Sequence, residues 1–201
     1  MKFAQLLIHD QILDPQIATH AAIRNRGTLG GSLAHADPAA ELPACAVALD
    51  AEIEIAGRQG GRRVRARDFF TGIYQTALQP GEILAAIEIP FSPPGRRNVF
   101  LELARRQGDY ALCGLAFAAE IKDGTIAAAR AVYFGVGAKP VEAGKAAAML
   151  EGQTPRAAPD AACAALAAEL APLGDFNASP VMKRHLAQVL LRRALAQLGA
   201  P

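Results

Sequence analysis

Ile23-Arg24-Asn25-Arg26-Gly27-Thr28-Leu29-Gly30-Gly31-Ser32-Leu33-Ala34-His35-Ala36-Asp37-Pro38-Ala39-Ala40-Glu41-Leu42-Pro43 is the stretch on which the reading of this 201-residue chain turns. Gly27, Gly30 and Gly31 fall within five residues, a density that lets backbone approach something closely. Consecutive amides free of side chains at Gly30 and Gly31 can form a small concavity for a pyrophosphate, and Thr28 adds a hydroxyl. Taken alone, the pair reads first as a tight structural turn. Ser32, Ala34 and Ala36 then put small residues at alternate positions, a flat face along which a ligand can lie. Asp37 and Glu41 follow as carboxylates able to accept bonds from sugar hydroxyls. Asp37 before Pro38 is also a helix-start signal, since the carboxylate caps free N–H groups and proline loses no bond at the first helical position. A helix over about 38–49 is expected, and cap and ligand roles can coexist. His35, with no histidine or cysteine nearby, reads as a solvent-facing or locally bonded imidazole rather than a metal ligand.

Outward from this segment, Glu52-Ile53-Glu54-Ile55 alternates with period two, and Gly57 to Gly61 can turn it into Arg63-Val64-Arg65 as a hairpin. Residues 82–89 form another apolar strand stopped by Pro90, and Pro93-Pro94-Gly95 is the best boundary between two subdomains. Strands are expected over 99–103 and 111–121, then, across the Asp123-Gly124 hairpin signal, over 125–136. Helical spacing returns over 141–150, 159–170 and 181–198, where Leu186, Val189, Leu190, Ala194 and Leu198 share a face. Residues 1–22 read as a connecting helix and loop. The class is α+β, with an antiparallel sheet in each half and a C-terminal helical cluster.

Composition bounds the function. A hydrophobic share of 52% supports a buried core, and 5% aromatics with no tryptophan implies one built from many small contacts. A net charge of +2 is too small and too dispersed for a nucleic-acid surface or an anionic membrane. Cys45, Cys113 and Cys163 form none of the short pairs that metal or iron–sulfur sites use, and read as reduced core or surface thiols. The apolar patch near Met1 is shorter than a secretory signal, and no run reaches membrane-spanning length, so a cytoplasmic protein is expected.

The opening stretch resembles the second FAD-binding motif of the medium, flavoprotein subunits of the carbon monoxide dehydrogenase and xanthine dehydrogenase family of molybdenum hydroxylases. Two further blocks agree in order and spacing: Gly81-Glu82-Ile83-Leu84 through Glu88-Ile89-Pro90, and Arg105-Arg106-Gln107-Gly108-Asp109-Tyr110-Ala111. The resemblance implies the second half of a PCMH-type FAD-binding domain over residues 1–95. A small domain over 96–201 would follow, with a three-stranded antiparallel sheet packed on helices. It implies FAD as cofactor, with Thr28, Leu29, Gly30 and Gly31 along the diphosphate and ribityl chain and Ser32, Asp37 and Glu41 as polar contacts nearby. Leu84 would pack on the ring system. Tyr110 would lie against the isoalloxazine face; without the resemblance it reads as a half-buried strand residue. The implied partners are a large subunit carrying the molybdenum cofactor and a small subunit carrying 2Fe–2S clusters, and the implied activity is electron transfer through FAD to NAD, a quinone or oxygen.

Two departures stand out. Family members open with an earlier glycine-rich FAD loop that nothing before Ile23 matches, so a chain lacking that segment is expected, with a separate chain as one source of it. Glu102 occupies a strand where relatives often carry a lysine near the flavin. No side chain is expected to act as an obligatory acid or base, and no metal ligand is expected. The alternative is a truncated, non-catalytic subunit-interaction protein that does not bind FAD alone.

Overall fold

The computed structural model describes residues 26–106, 108–157 and 159–199, so the helix and loop expected over 1–22 lie outside the described residues. The glycine-rich stretch is a short helix, α1 (Leu29–His35), followed by α2 (Glu41–Ala48). A three-stranded sheet follows, built from β1 (Glu52–Gly57), β2 (Gly60–Arg65) and, after an excursion, β5 (Ile83–Glu88), in the antiparallel order β2-β1-β5. The excursion holds a single turn, α3 (Ala66–Phe69), and a small hairpin of β3 (Phe70–Gly72) and β4 (Gln75–Thr76), neither of which the sequence reading anticipated. Period two in β1 buries Ile53 and Ile55 completely and leaves Glu52 and Glu54 on the outer face. There Arg63 bridges Glu52, Glu54 and Glu88 across all three strands.

The second sheet carries β6 (Arg96–Ala104), β7 (Ala111–Lys122), β8 (Thr125–Phe134) and β9 (Val141–Glu142), antiparallel in that order. Three long strands match the expected sheet, and the two-residue β9 adds an edge. Val141 was expected to open a helix; it pairs with Tyr133 instead, and α4 is only Gly144–Ala148. Asp123 and Gly124 turn β7 into β8 with φ of 51° and 75°, the doubly left-handed turn that Asp-Gly suits.

Both faces of this sheet are covered. Val99, Cys113, Leu115, Phe117 and Tyr133 pack against α5 (Pro159–Glu169) and α6 (Pro180–Leu198), while Ala116, Ala118, Val132 and Phe134 join Ile53, Ile55 and α2 in a second core. Two-sided burial is why β7 reads as a continuous apolar run rather than an alternating one. Across the helical layer, the Tyr133 hydroxyl donates to the Ala187 carbonyl at 3.1 Å. Lys183, 3% exposed, donates to the Gly135 carbonyl at 2.6 Å and to Asp175 at 2.5 Å. Polar ties also join α2 to the sheet: Arg130 and Arg96 donate to the Val47 and Ala48 carbonyls at the helix's C-terminal end, and Arg130 and Arg67 share Asp50. A guanidinium there satisfies carbonyls the helix leaves open and meets the negative end of its dipole. The start of α2 is thereby held at a fixed place beside the end of β6 and the loop before β7.

Candidate functional site

That place is a cleft of about 640 Å³, lined by residues 26–28 before the first helix, Gly31, Ser32 and His35 on it, residues 39–42 at the approach to and start of the second, and residues 108–111 from the loop before β7 and its first residue. The volume falls within the range of small-molecule sites. Of the residues singled out in the sequence, Thr28, Gly31, Ser32, Glu41 and Tyr110 line it, and Leu29, Gly30, Asp37 and Leu84 do not.

The glycine pair is not the open turn its sequence suggests. Thr28 is the N-cap of α1, and its Oγ1 accepts from the Gly31 amide at 3.0 Å. Leu29 and Leu33, one turn apart, are buried on one face, and cap and burial together outweigh the poor helix propensity of two glycines. Gly31 is bound to this arrangement, since a β-carbon there would lie 2.8 Å from Thr28 Oγ1. Gly30 faces the other way, with Leu84 Cδ2 3.6 Å from where its β-carbon would be. Leu29 and Leu84 therefore support the wall of the cleft from behind. Ser32, Ala34 and Ala36 lie on the helix rather than on a flat extended face, and Ala36 closes it in the left-handed conformation, φ 52°.

Asp37 does not cap α2. That helix starts at Glu41, its N-cap is Ala40 with no side-chain bond, and Asp37 Oδ1 accepts instead from the Ala39 amide at 2.9 Å. The bend over 37–40 is fastened by the Pro38 carbonyl, which accepts from Gly135 N–H at 2.8 Å, so Pro38 sits outside the helix and Pro43 inside its first turn, where no N–H is needed.

The cleft is lined by one cation, Arg26, and by two carboxyl side chains, Glu41 and Asp109. Burial raises the Glu41 pKa, its own backbone amide opposes that, and the charge of Asp37 adds to it. Behind Glu41 stands Glu102. It lies opposite Gly114, which lies opposite Phe134, so all three share the face of the large sheet turned toward α2. Gly114 is bare because a β-carbon would sit 1.9 Å from the Phe134 ring, which stacks on Phe100. Burial first, and the charge of Glu41 second, push the Glu102 carboxyl up to about 7.

The thiols offer no nucleophile. Cys45, Cys113 and Cys163 are free and buried, and burial raises all three, Cys113 to about 12. Among the described residues no group of three or more His, Cys, Asp or Glu side chains is placed to hold a metal ion, and no helix is long and apolar enough to cross a membrane. The sequence reading passed over four elements of the rim. Arg26, Gly108 and Asp109 lay inside the quoted blocks but carried no separate signal. The fourth, Tyr74, arrives from the β3–β4 hairpin and packs its ring on His35.

Comparison with known proteins gives two family matches in tandem. Residues 14–92 match the FAD binding domain in molybdopterin dehydrogenase, and residues 98–198 match the CO dehydrogenase flavoprotein C-terminal domain. The carbon monoxide dehydrogenase medium chain of Afipia carboxidovorans is 36% identical over 94% of this chain and 64% of its own length. The nicotine 6-hydroxylase medium subunit of Paenarthrobacter nicotinovorans is 38% identical over 90% of this chain and 64% of its own. Among solved structures, reconstituted CO dehydrogenase from Oligotropha carboxidovorans superposes with a TM-score of 0.86 at 34% identity, covering 92% of this chain and 65% of the other. The chain thus spans just under two thirds of the length of these relatives.

Proposed function

Because the chain belongs to the family of FAD-binding medium subunits of molybdenum hydroxylases, we propose that it holds FAD in the cleft between α1, α2 and the loop before β7, as the electron-transfer subunit of such a complex. The observation that carries this is the cleft itself: its size suits a ligand, and its wall contains the hydroxyl of the capping Thr28 and, one turn on, Gly31, which has no side chain. Thr28, Gly31 and Ser32 lie along the diphosphate and ribityl chain, with Arg26 as the nearby cation. Glu41 accepts from sugar hydroxyls, and Tyr110 offers its ring to the isoalloxazine. Leu29, Gly30 and Leu84 keep the wall in place, and Asp37 holds the bend that delivers Glu41.

FAD, when bound, supplies the redox chemistry, and the protein's share is to bind, orient and exclude water. Electrons would come from iron–sulfur clusters on a small subunit, fed by a large subunit carrying the molybdenum cofactor, and leave to NAD, a quinone or oxygen. A separate chain contributing another FAD-binding segment is compatible with this arrangement. The test is to purify the chain, add FAD, desalt and record the flavin spectrum, alone and after co-expression with the proteins encoded beside it. Retained flavin in either case supports the reading, and no flavin in both overturns it.

One observation favours a second reading, a subunit-interaction protein that does not bind FAD alone. Glu41 and Asp109 line the cleft and Glu102 stands behind it, so three carboxyls face or approach the place proposed for two phosphate charges. No flavin retained in either preparation is the outcome that favours it.

A further inference from the structure

The turn between β3 and β4 holds a tyrosine in a conformation that costs energy. Tyr74 has φ of 53°, the left-handed region where the β-carbon of a bulky residue is crowded. Its side chain is 57% exposed, so no burial in a core offsets the strain. Glycine or asparagine would suit that backbone better. An uncompensated outlier of this kind points to a role for the side chain.

What Tyr74 touches is the rim of the cleft. Its amide donates to the Ala36 carbonyl at 3.2 Å, which fastens the hairpin tip to the end of α1. Its ring meets the His35 ring at 4.9 Å between centroids, tilted by 43°, and His35 lines the cleft. Its hydroxyl is raised above the ordinary tyrosine value by the charge of Asp37 first, loss of water second and Tyr110 third, which puts the two tyrosines within electrostatic reach of each other. Tyr110 is 70% exposed and lines the cleft from the loop before β7. Two exposed aromatic rings, carried by loops of different sheets, therefore flank one opening.

We infer that Tyr74 is a ring-binding residue, which with Tyr110 forms a pair of aromatic lips that take the planar isoalloxazine at the mouth of the cleft. The inference rests on the flavin reading above and adds a contact from the hairpin side. A flat ring between two tyrosine faces gains offset stacking at little entropic cost, because each side chain has only two torsions to fix.

The experiment titrates the chain with FAD, FMN and ADP in wild type, Tyr74→Asn and Tyr74→Phe, and records the melting temperature of each without ligand. Asparagine accepts the left-handed backbone, so the unliganded Tyr74→Asn chain melts no lower than wild type. The same variant binds FAD and FMN about fivefold more weakly and ADP as wild type does, and Tyr74→Phe binds FAD as wild type does. FAD binding unchanged in Tyr74→Asn overturns the inference and leaves the flavin reading intact. Equal loss for ADP also overturns it, because the ring contacted is then adenine, and so does weaker binding matched by a lower melting temperature, which marks a structural role. Failure of the wild-type chain to bind FAD or FMN, both alone and after co-expression with the proteins encoded beside it, removes the flavin reading and this inference together.

Discussion

Replacing Glu102 by glutamine should stabilise the protein above neutral pH and leave it unchanged in acid. Glu102 is held at about 7 against an ordinary 4.5, by burial against the sheet and then by the charge of Glu41. A raised carboxyl favours its neutral form in the fold. Its contribution to stability is therefore complete below pH 4.5, falls as pH rises toward 7, and is gone above that. At roughly 1.4 kcal/mol for each tenfold, the displacement corresponds to about 3 kcal/mol. The part of the side chain still open to water, and the freedom of the two carboxyls to lean apart, bring the expected gain to about 2 kcal/mol. Urea melts followed by far-UV circular dichroism at pH 4.5, 6 and 8.5 measure it. The Glu102→Gln chain should match wild type at pH 4.5 and exceed it by about 2 kcal/mol at pH 8.5. Glu41→Gln should recover part of the same gain by removing the neighbouring charge. Wild-type and Glu102→Gln stabilities that run parallel from pH 4.5 to 8.5 would refute the reasoning, because Glu102 would then be an ordinary solvated carboxylate.

Other substitutions probe the wall and the layers behind it. Thr28→Val removes the oxygen that accepts from Gly31 while keeping the shape, and should cost about 1 kcal/mol in urea melts together with a measurable loss of flavin affinity. Gly114→Ala forces a β-carbon into the Phe134 ring and should cost about 3 kcal/mol by the same melts, with the Phe100–Phe134 stack displaced. Lys183→Met keeps the aliphatic stem but strands the Gly135 carbonyl and releases Asp175, for a loss of about 2 kcal/mol; thermal melts that show no change would mean water replaces the ammonium.

The large sheet was legible because its signals are local: continuous apolar runs at 111–121 and 125–136 and an Asp-Gly pair between them with the φ values that pair favours. The long C-terminal helix was legible for the same reason, from the spacing of its apolar residues, and the structure adds its cap, Ser179, whose Oγ accepts from Met182 N–H. The candidate site was legible in outline but not in mechanism of assembly. Gly30-Gly31 reads as a turn, and it takes the burial of Leu29 and Leu33, decided by residues far along the chain, together with the Thr28 cap to make it a helix. Asp37 carries a good cap signal, yet the bond from Gly135 N–H to the Pro38 carbonyl holds the bend open and delays the helix to Glu41. Tyr74 gave no local signal at all, because its place beside His35 depends on how a two-strand hairpin lands on another helix. Nothing short of the register of β6, β7 and β8 puts Glu102 on the face turned toward Glu41.

Selective labelling of glycine nitrogen tests the location of the ligand most directly, since glycines mark both the cleft and the remote turns. On titration with FAD, the amide signals of Gly27, Gly31 and Gly108 should move in step with occupancy, while those of Gly60, Gly124 and Gly152 stay in place. Movement confined to the remote glycines, or none anywhere under conditions where FAD is bound, would contradict a flavin site in this cleft.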